Sequence, residues 1–263
     1  MFEHERIKLV YDKFIRIPHL NITDYVRPTP LKDILKEYLQ FSDDDFYPYI
    51  SGLENEDIKT HMAENWKGMC IIDSCTTGRH NIDYLVTENN FHKLEFKFDD
   101  EGQPIYSPTD VGTLMPDTMS FLYDIVHYPK KTRLSRMMAN GGNATWHSHR
   151  LLANTGDRRF TSDDNFVTPV LHIPLITNNK CYMGVSTRFP PRDGDVKKHW
   201  QRYHPGEVWL FNSYYYHQAV NLGRTHRDHI MMYVPIDDKT MFPIIEKAVQ
   251  EYDGELLDNI DLK

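Results

Sequence analysis

Pro205-Gly-Glu-Val-Trp-Leu-Phe-Asn-Ser-Tyr-Tyr-Tyr-His217-Gln-Ala-Val-Asn221-Leu-Gly-Arg-Thr-His-Arg227-Asp-His-Ile-Met-Met-Tyr-Val-Pro235 contains three short runs of strand-forming residues cut by turn residues. Pro205-Gly206 opens a turn, and Glu207 to Asn212 follows as a strand. His217 to Asn221 is a second strand, Leu222-Gly223-Arg224 a turn, and His229 to Val234 a third strand. No helical period intervenes. Strand, turn, strand at this spacing is the pattern of an antiparallel sheet.

Working outward, the same pattern holds over residues 130–236. Arg133 to Ala139 leads into the turn Asn140-Gly141-Gly142-Asn143. Ala144 to His149 follows, then a long polar stretch, then Val167 to Thr177 and, past Asn178-Asn179, Cys181 to Thr187. Short strands without helices between them predict a sandwich or barrel. Residues 1–115 read as a mixed α/β region packing on that core. It has a helix over Leu31 to Leu39, a short strand over Met69 to Ile72 and an alternating strand over Phe91 to Phe98 ending at Asp99-Asp100-Glu101-Gly102. Met115 to Val126 predicts a helix leading into a catalytic core over 116–240. Residues 241–263 read as a closing helix, Met241 to Tyr252, with an acidic tail.

The chain has 263 residues and a net charge of −8, which argues against a general nucleic-acid or membrane-surface binder. Its three cysteines, Cys70, Cys75 and Cys181, form no CxxC pair, so neither a disulfide framework nor a structural zinc site is expected. No signal peptide is read at the N-terminus, and no apolar run is long enough to span a bilayer. A cytoplasmic location is the resulting expectation.

Fourteen histidines are many for this length. His4, His19, His61, His80, His92 and His127 read as surface or satisfied core residues. His147 and His149 are two apart on an expected strand, so both rings point to one face and can converge on one ion. His217 follows a strand later in the chain. Non-haem iron(II) sites need a facial set of three ligands with open positions. Arg227 lies ten residues after His217, across the turn. There its guanidinium can grip a carboxylate with two parallel hydrogen bonds, as the far carboxylate of an iron-chelating 2-oxoglutarate requires. Arg224 competes for this role but sits in the turn itself. Arg150 to Phe166, carrying Arg158 and Arg159, reads as a lid or a solvated loop. Tyr214, Tyr215 and Tyr216 either line the pocket or pack on alternate faces.

The quoted stretch resembles the C-terminal signature of the aspartyl/asparaginyl β-hydroxylase group, which includes bacterial proline hydroxylases. Gly206-Glu207, Phe211-Asn212, His217, Asn221 and Arg227 carry that resemblance. Leu171-His172-Ile-Pro-Leu is similar to the group's Arg-x-His-(Ile/Leu)-Pro-Leu segment. Gly142-Asn-Ala-Thr-Trp-His147-Ser-His149 sits where the group has its first ligand. The resemblance covers roughly residues 130–236. It implies a mainly β fold with flanking helices, built on a double-stranded β-helix (a jelly-roll, cupin-like core). It also implies an Fe(II)/2-oxoglutarate-dependent dioxygenase, a hydroxylase that consumes molecular oxygen and oxidises a C–H bond. The substrate would be a small amino-acid-like molecule or an amino-acid side chain. On this resemblance His147 and His217 are iron ligands, and Arg227 and His172 hold 2-oxoglutarate. Arg136 reaches either carboxylate or is structural.

The chain departs from the group at His149, where Asp is expected. Three readings stand. His149 is a third ligand; or it swings away and leaves an open position, as in halogenating relatives; or it is itself the first ligand, with His147 outside. A three-histidine dioxygenase that does not use 2-oxoglutarate and a non-catalytic cupin-like metal binder are the alternatives from other classes. Substrate identity and oligomeric state are not legible.

Overall fold

The computed structural model describes residues 3–49, 62, 64–81, 94–149, 168–188 and 198–257. In chain order the elements are α1 (Glu3–Phe14), β1 (Leu20–Asn21), α2 (Leu31–Tyr38), β2 (Tyr47–Pro48), β3 (Trp66–Asp73), β4 (Ser107–Pro108) and α3 (Pro116–Ile125). Then follow β5 (Thr132–Met137), β6 (Gly142–His147), β7 (Val170–Ile176), β8 (Cys181–Ser186), β9 (His199–Gln201), β10 (Trp209–Phe211), β11 (Tyr216–Asn221), β12 (Arg227–Tyr233) and α4 (Met241–Glu251).

The strands form two sheets. The larger has the order β1-β10-β7-β12-β5-β3-β2, with β4 paired to β3; the smaller has the order β6-β11-β8-β9. Every pairing is antiparallel. From β5 to β12 the chain passes back and forth between the sheets, with β8 and β9 both in the smaller. This winding is the double-stranded β-helix that the sequence leads one to expect. The N-terminal region supplies the flanks of the larger sheet: β3 and β2 extend it beyond β5, and β1 extends it beyond β10.

Side-chain alternation divides the interior into two cores. On β7, Leu171, Ile173 and Leu175 face the helices, while Val170 and His172 face the smaller sheet. On β5, Leu134 joins the helix side and Met137 the space between the sheets. The helix-side core gathers Phe14 of α1, Ile34 of α2, Phe121 and Leu122 of α3, and Ile245 of α4, all fully buried. Both faces of β7 are covered, which is why it reads as a nearly continuous apolar run. Its Pro174 has no N–H to give to the ladder, and the register with β12 shifts there, between Asp228 and His229. The turn between β5 and β6 needs left-handed backbone at Asn140 (φ 60°) and Gly141 (φ 109°), which Asn and Gly accept most readily.

Most of the longer strands and helices lie within a few residues of where the sequence places them; the differences include the following. Helix α1 went unread because only Ile7, Val10 and Phe14 mark its buried side; it packs on α4, and Arg6 pairs with Glu246. β9 is three residues long in a polar stretch. The strand expected over Phe91 to Phe98 lies partly outside the described residues. Its described part makes isolated bridges, Phe96 to Cys75 and Phe98 to Pro104, instead of a continuous strand. The three cysteines are buried free thiols. No described helix is long and apolar enough to cross a membrane.

Candidate active site

β6 and β11 are neighbours in the smaller sheet, and their register sets His217 opposite His147. The ladder slips just beyond, between His217 and Ala219. His149 follows two residues after His147 and is anchored by its backbone N–H to Ser213 O at 3.0 Å. Ring centroids are 4.2 Å apart for His147 and His217, 5.1 Å for His149 and His217, and 5.4 Å for His147 and His149. One nitrogen of each ring lies within 4.8 Å of the others.

Two of these rings have their tautomers fixed. His147 Nδ1 lies 2.6 Å from Thr145 O, and His217 Nδ1 lies 2.9 Å from Tyr215 O. A carbonyl only accepts, so each Nδ1 carries the proton and each Nε2 keeps its lone pair. A backbone acceptor behind the ring is the usual arrangement for a histidine that binds metal through its other nitrogen. Burial first, then the neighbouring His147 and His149, hold His217 well below the ordinary imidazole range. The three rings offer nitrogen donors, which suit iron, zinc or copper, and their spacing fits one ion.

Arg227 opens β12 and faces the same cavity as the three histidines. It is buried, and among the described residues it makes no ion pair and no side-chain hydrogen bond. Its neighbour Asp228 points to the opposite face of the sheet, where Arg136 takes it. Burial lowers the guanidinium's pKa, with Cys181, Tyr203 and Asp228 acting the other way; an arginine nevertheless stays charged. A buried cation without an anion is costly, by several kcal/mol in order of magnitude. Arg224, the competing candidate, is exposed in the turn.

His172 projects from β7 into the same space, and His229 projects from β12 beside it, with Nδ1 to Nδ1 at 3.3 Å. Both rings are buried, and neither Nε2 has a hydrogen-bond partner among the described residues. Burial, and then Arg227, hold both well below the ordinary imidazole range. Phe211 bridges the two groups, with its ring 5.2 Å from His172 and 5.0 Å from His217. Behind them His19 Nε2 donates to His199 O at 3.1 Å, so its Nδ1 accepts from the Tyr203 hydroxyl at 2.8 Å. His19 is thus a satisfied core residue, as expected.

Arg136 requires a correction. It was a candidate for the co-substrate, but it sits on the helix-facing side of β5, an odd number of residues from Arg133. Its guanidinium donates to Asp228 at 3.0 Å, to Asp43 and to the Tyr38 hydroxyl, and lies 3.9 Å from the Phe46 ring centre. Its charge is spent on the far side of the sheet. Tyr215 is buried in the core between the sheets, and the expected lid over 150–166 lies outside the described residues. Sequence reasoning missed His229 and four further residues that line the cavity: Arg133, Ser135, Tyr49 and Trp66. Period-two counting along β5 and β12 would have found Arg133, Ser135 and His229 once the inward face was known.

The chain matches no protein-family model and no curated protein sequence. Several solved structures are similar to it at low identity. An oxidoreductase of the 2OG-Fe(II) oxygenase family from Burkholderia pseudomallei is 9% identical, with 79% of each chain covered and a TM-score of 0.45. The non-haem α-ketoglutarate-dependent epimerase SnoN from nogalamycin biosynthesis is 8% identical, covering 89% of this chain and 84% of its own, with a TM-score of 0.43. A Pseudomonas putida prolyl-4-hydroxylase is 10% identical, covering 87% and 98%, with a TM-score of 0.40. At these scores the likenesses carry no assignment of activity, which must be argued from the side chains.

Proposed function

We propose that this chain is an Fe(II)/2-oxoglutarate-dependent oxygenase that hydroxylates a C–H bond of a small amino-acid-like substrate, consuming molecular oxygen. One observation carries the reading. Three histidine nitrogens within 4.8 Å of one another share a cavity with a buried arginine that has no anion among the described residues. A metal and a dicarboxylate together satisfy both.

In this reading His147, His149 and His217 hold the iron, two of them through Nε2 atoms whose lone pairs follow from the Nδ1 contacts to backbone carbonyls. Arg227 grips the far carboxylate of 2-oxoglutarate. The His172–His229 pair adds one N–H beside it. When bound, the iron and its keto-acid supply the oxidising chemistry; the chain supplies binding, orientation and a dry wall. Phe211, Val170 and Met183 are apolar members of the wall of that cavity. With His149 as third ligand no coordination position is left open by a missing side chain, which favours hydroxylation over halogenation.

A second reading is favoured by the all-histidine ligand set among the described residues: a three-histidine dioxygenase that does not use 2-oxoglutarate. It leaves Arg227 without a purpose. The deciding experiment is an anaerobic titration of the iron(II) protein with 2-oxoglutarate, followed by visible absorbance. A weak band that grows to saturation supports keto-acid chelation. Bound iron with no band transfers support to the second reading or to a metal-binding protein without oxygenase activity.

A further inference from the structure

We propose that Asn221 is a positioning residue that sets how far Arg227 stands from the clustered histidines, and so selects the length of the 2-oxo acid co-substrate. The inference rests on the reading above and deepens it, since it concerns the co-substrate of the same site.

Asn221 ends β11, whose buried face reads His217, Ala219, Asn221. It is fully buried. Its Nδ2 donates to Thr225 O at 2.7 Å and to Met138 O at 3.0 Å, with Met137 O sharing at 3.3 Å. Its Oδ1 accepts from the Gly223 N–H at 3.0 Å, from Asn178 Nδ2 at 3.1 Å and from the Cys181 thiol at 3.2 Å. Backbone carbonyls only accept and a backbone N–H only donates, so the amide has one possible orientation. A single side chain thus ties together the end of β5, the turn before β8, the start of β8 and the turn between β11 and β12.

The main chain reinforces this knot. The Gly141 N–H donates to Asn221 O at 2.9 Å, and the Asn140 N–H to Gly223 O at 2.7 Å. Asn178 Nδ2 also donates to Thr225 Oγ1 at 3.1 Å. A Cβ at position 223 would fall 2.1 Å from Asn178 Oδ1, so the turn packs on Asn178 as closely as only glycine allows.

Arg227 opens β12 two residues after Thr225 and pairs with Met137 on β5. Asn221 holds the carbonyls of both Thr225 and Met137, and so fixes the backbone before Arg227 and opposite it. The guanidinium makes no ion pair or hydrogen bond among the described residues, so its place follows from where β12 begins. At the other end of the same face of β11, about 13 Å away over four extended residues, stands His217. The metal-binding end and the root of the arginine are therefore joined through one short strand and one tightly bonded turn. A 2-oxo acid held at both ends must match that span.

The test compares 2-oxoglutarate with 2-oxoadipate, one methylene longer, by anaerobic absorbance titration of the iron(II) protein. The wild type is expected to bind 2-oxoglutarate about tenfold or more tightly, within the range one methylene commands. In Asn221→Ala that preference should fall to about threefold or less, because 2-oxoglutarate loses affinity while 2-oxoadipate loses little. A merely structural role would weaken both acids alike and leave their ratio where it was. Asn178→Ala, which removes one partner of the Asn221 amide and its link to Thr225, should narrow the ratio in the same direction, and it decides the matter should Asn221→Ala fail to fold. An unchanged ratio in the deciding variant, or a wild type that binds both acids equally, overturns the proposal and leaves the oxygenase reading standing. A wild type that binds iron but gives no band with either acid overturns the oxygenase reading, and the role of Asn221 with it.

Discussion

His172 and His229 meet through their Nδ1 atoms at 3.3 Å. One of the two must donate and the other accept, because two lone pairs or two protons at that distance repel. The donor is left with a bare Nε2 and the acceptor with an Nε2–H. The pair therefore presents one proton and one lone pair to the cavity beside Arg227. In the proposed reading, a carboxylate gripped by Arg227 accepts a hydrogen bond from that Nε2–H. His172→Ala and His229→Ala should each weaken 2-oxoglutarate binding by roughly ten- to hundredfold, the loss of one hydrogen bond to a charged group. Because the rings act as a unit, the double variant should lose less than the product of the two. Dissociation constants from the absorbance titration check this, and additive losses would show that the rings act separately.

Arg227 and Arg136 make a contrast that substitution can expose. Arg227→Met should weaken 2-oxoglutarate by at least about a hundredfold, at the lower end of what truncating a buried charge pair costs, and leave iron binding intact. Arg136→Met should do the reverse. It strands Asp228, which is 2% exposed, without its 3.0 Å partner. A loss of roughly 3 kcal/mol of fold stability is expected, with co-substrate affinity of the folded protein unchanged. Urea unfolding and co-substrate titration on both variants separate the roles.

The fold was legible where both faces of a strand are covered and the turns carry Gly, Asn or Pro, which is the case for β5 to β12. It was not legible at β1, β2 and β4, two residues each, whose pairing comes from tertiary contact and not from any pattern of their own. At the site, the three histidines stood out because spacing on a strand fixes which side chains share a face. Arg136 misled for the same reason. It lies near His147 in sequence, but inward and outward alternate along β5, and only the partners on β12 and β3 show that Arg133 is the inward arginine. His229 looked like one residue of an apolar strand until the register placed it against His172.

His149 stands where a carboxylate ligand is expected by resemblance, and its ligand nitrogen is within 4.8 Å of those of His147 and His217. His149→Ala should lower iron(II) affinity by more than about tenfold, since losing even a residue behind a ligand costs that much. His149→Asp should recover much of the affinity with a shifted absorbance band, because an anionic ligand makes the iron less positive. Metal titration of both variants checks this. Unchanged affinity in His149→Ala would leave a two-histidine site and reopen the halogenation reading.

The buried histidines also make the fold sensitive to acid, and His19 isolates the effect because it is not one of the three clustered histidines. Burial lowers its pKa from 6.5 to about 4, and the carbonyl of His199 only partly offsets this. The unfolded chain therefore takes up the proton first as pH falls. Stability contributed by the neutral ring is complete above about pH 6.5 and is lost as pH drops toward 4, on the order of 3 kcal/mol. His19→Gln keeps both hydrogen bonds, accepting from Tyr203 and donating to His199 O, but does not titrate. Its unfolding free energy should fall less than that of the wild type between pH 7.5 and pH 4, by that same amount. Urea unfolding across the range measures it, and parallel curves would mean that the folded protein admits the charged ring.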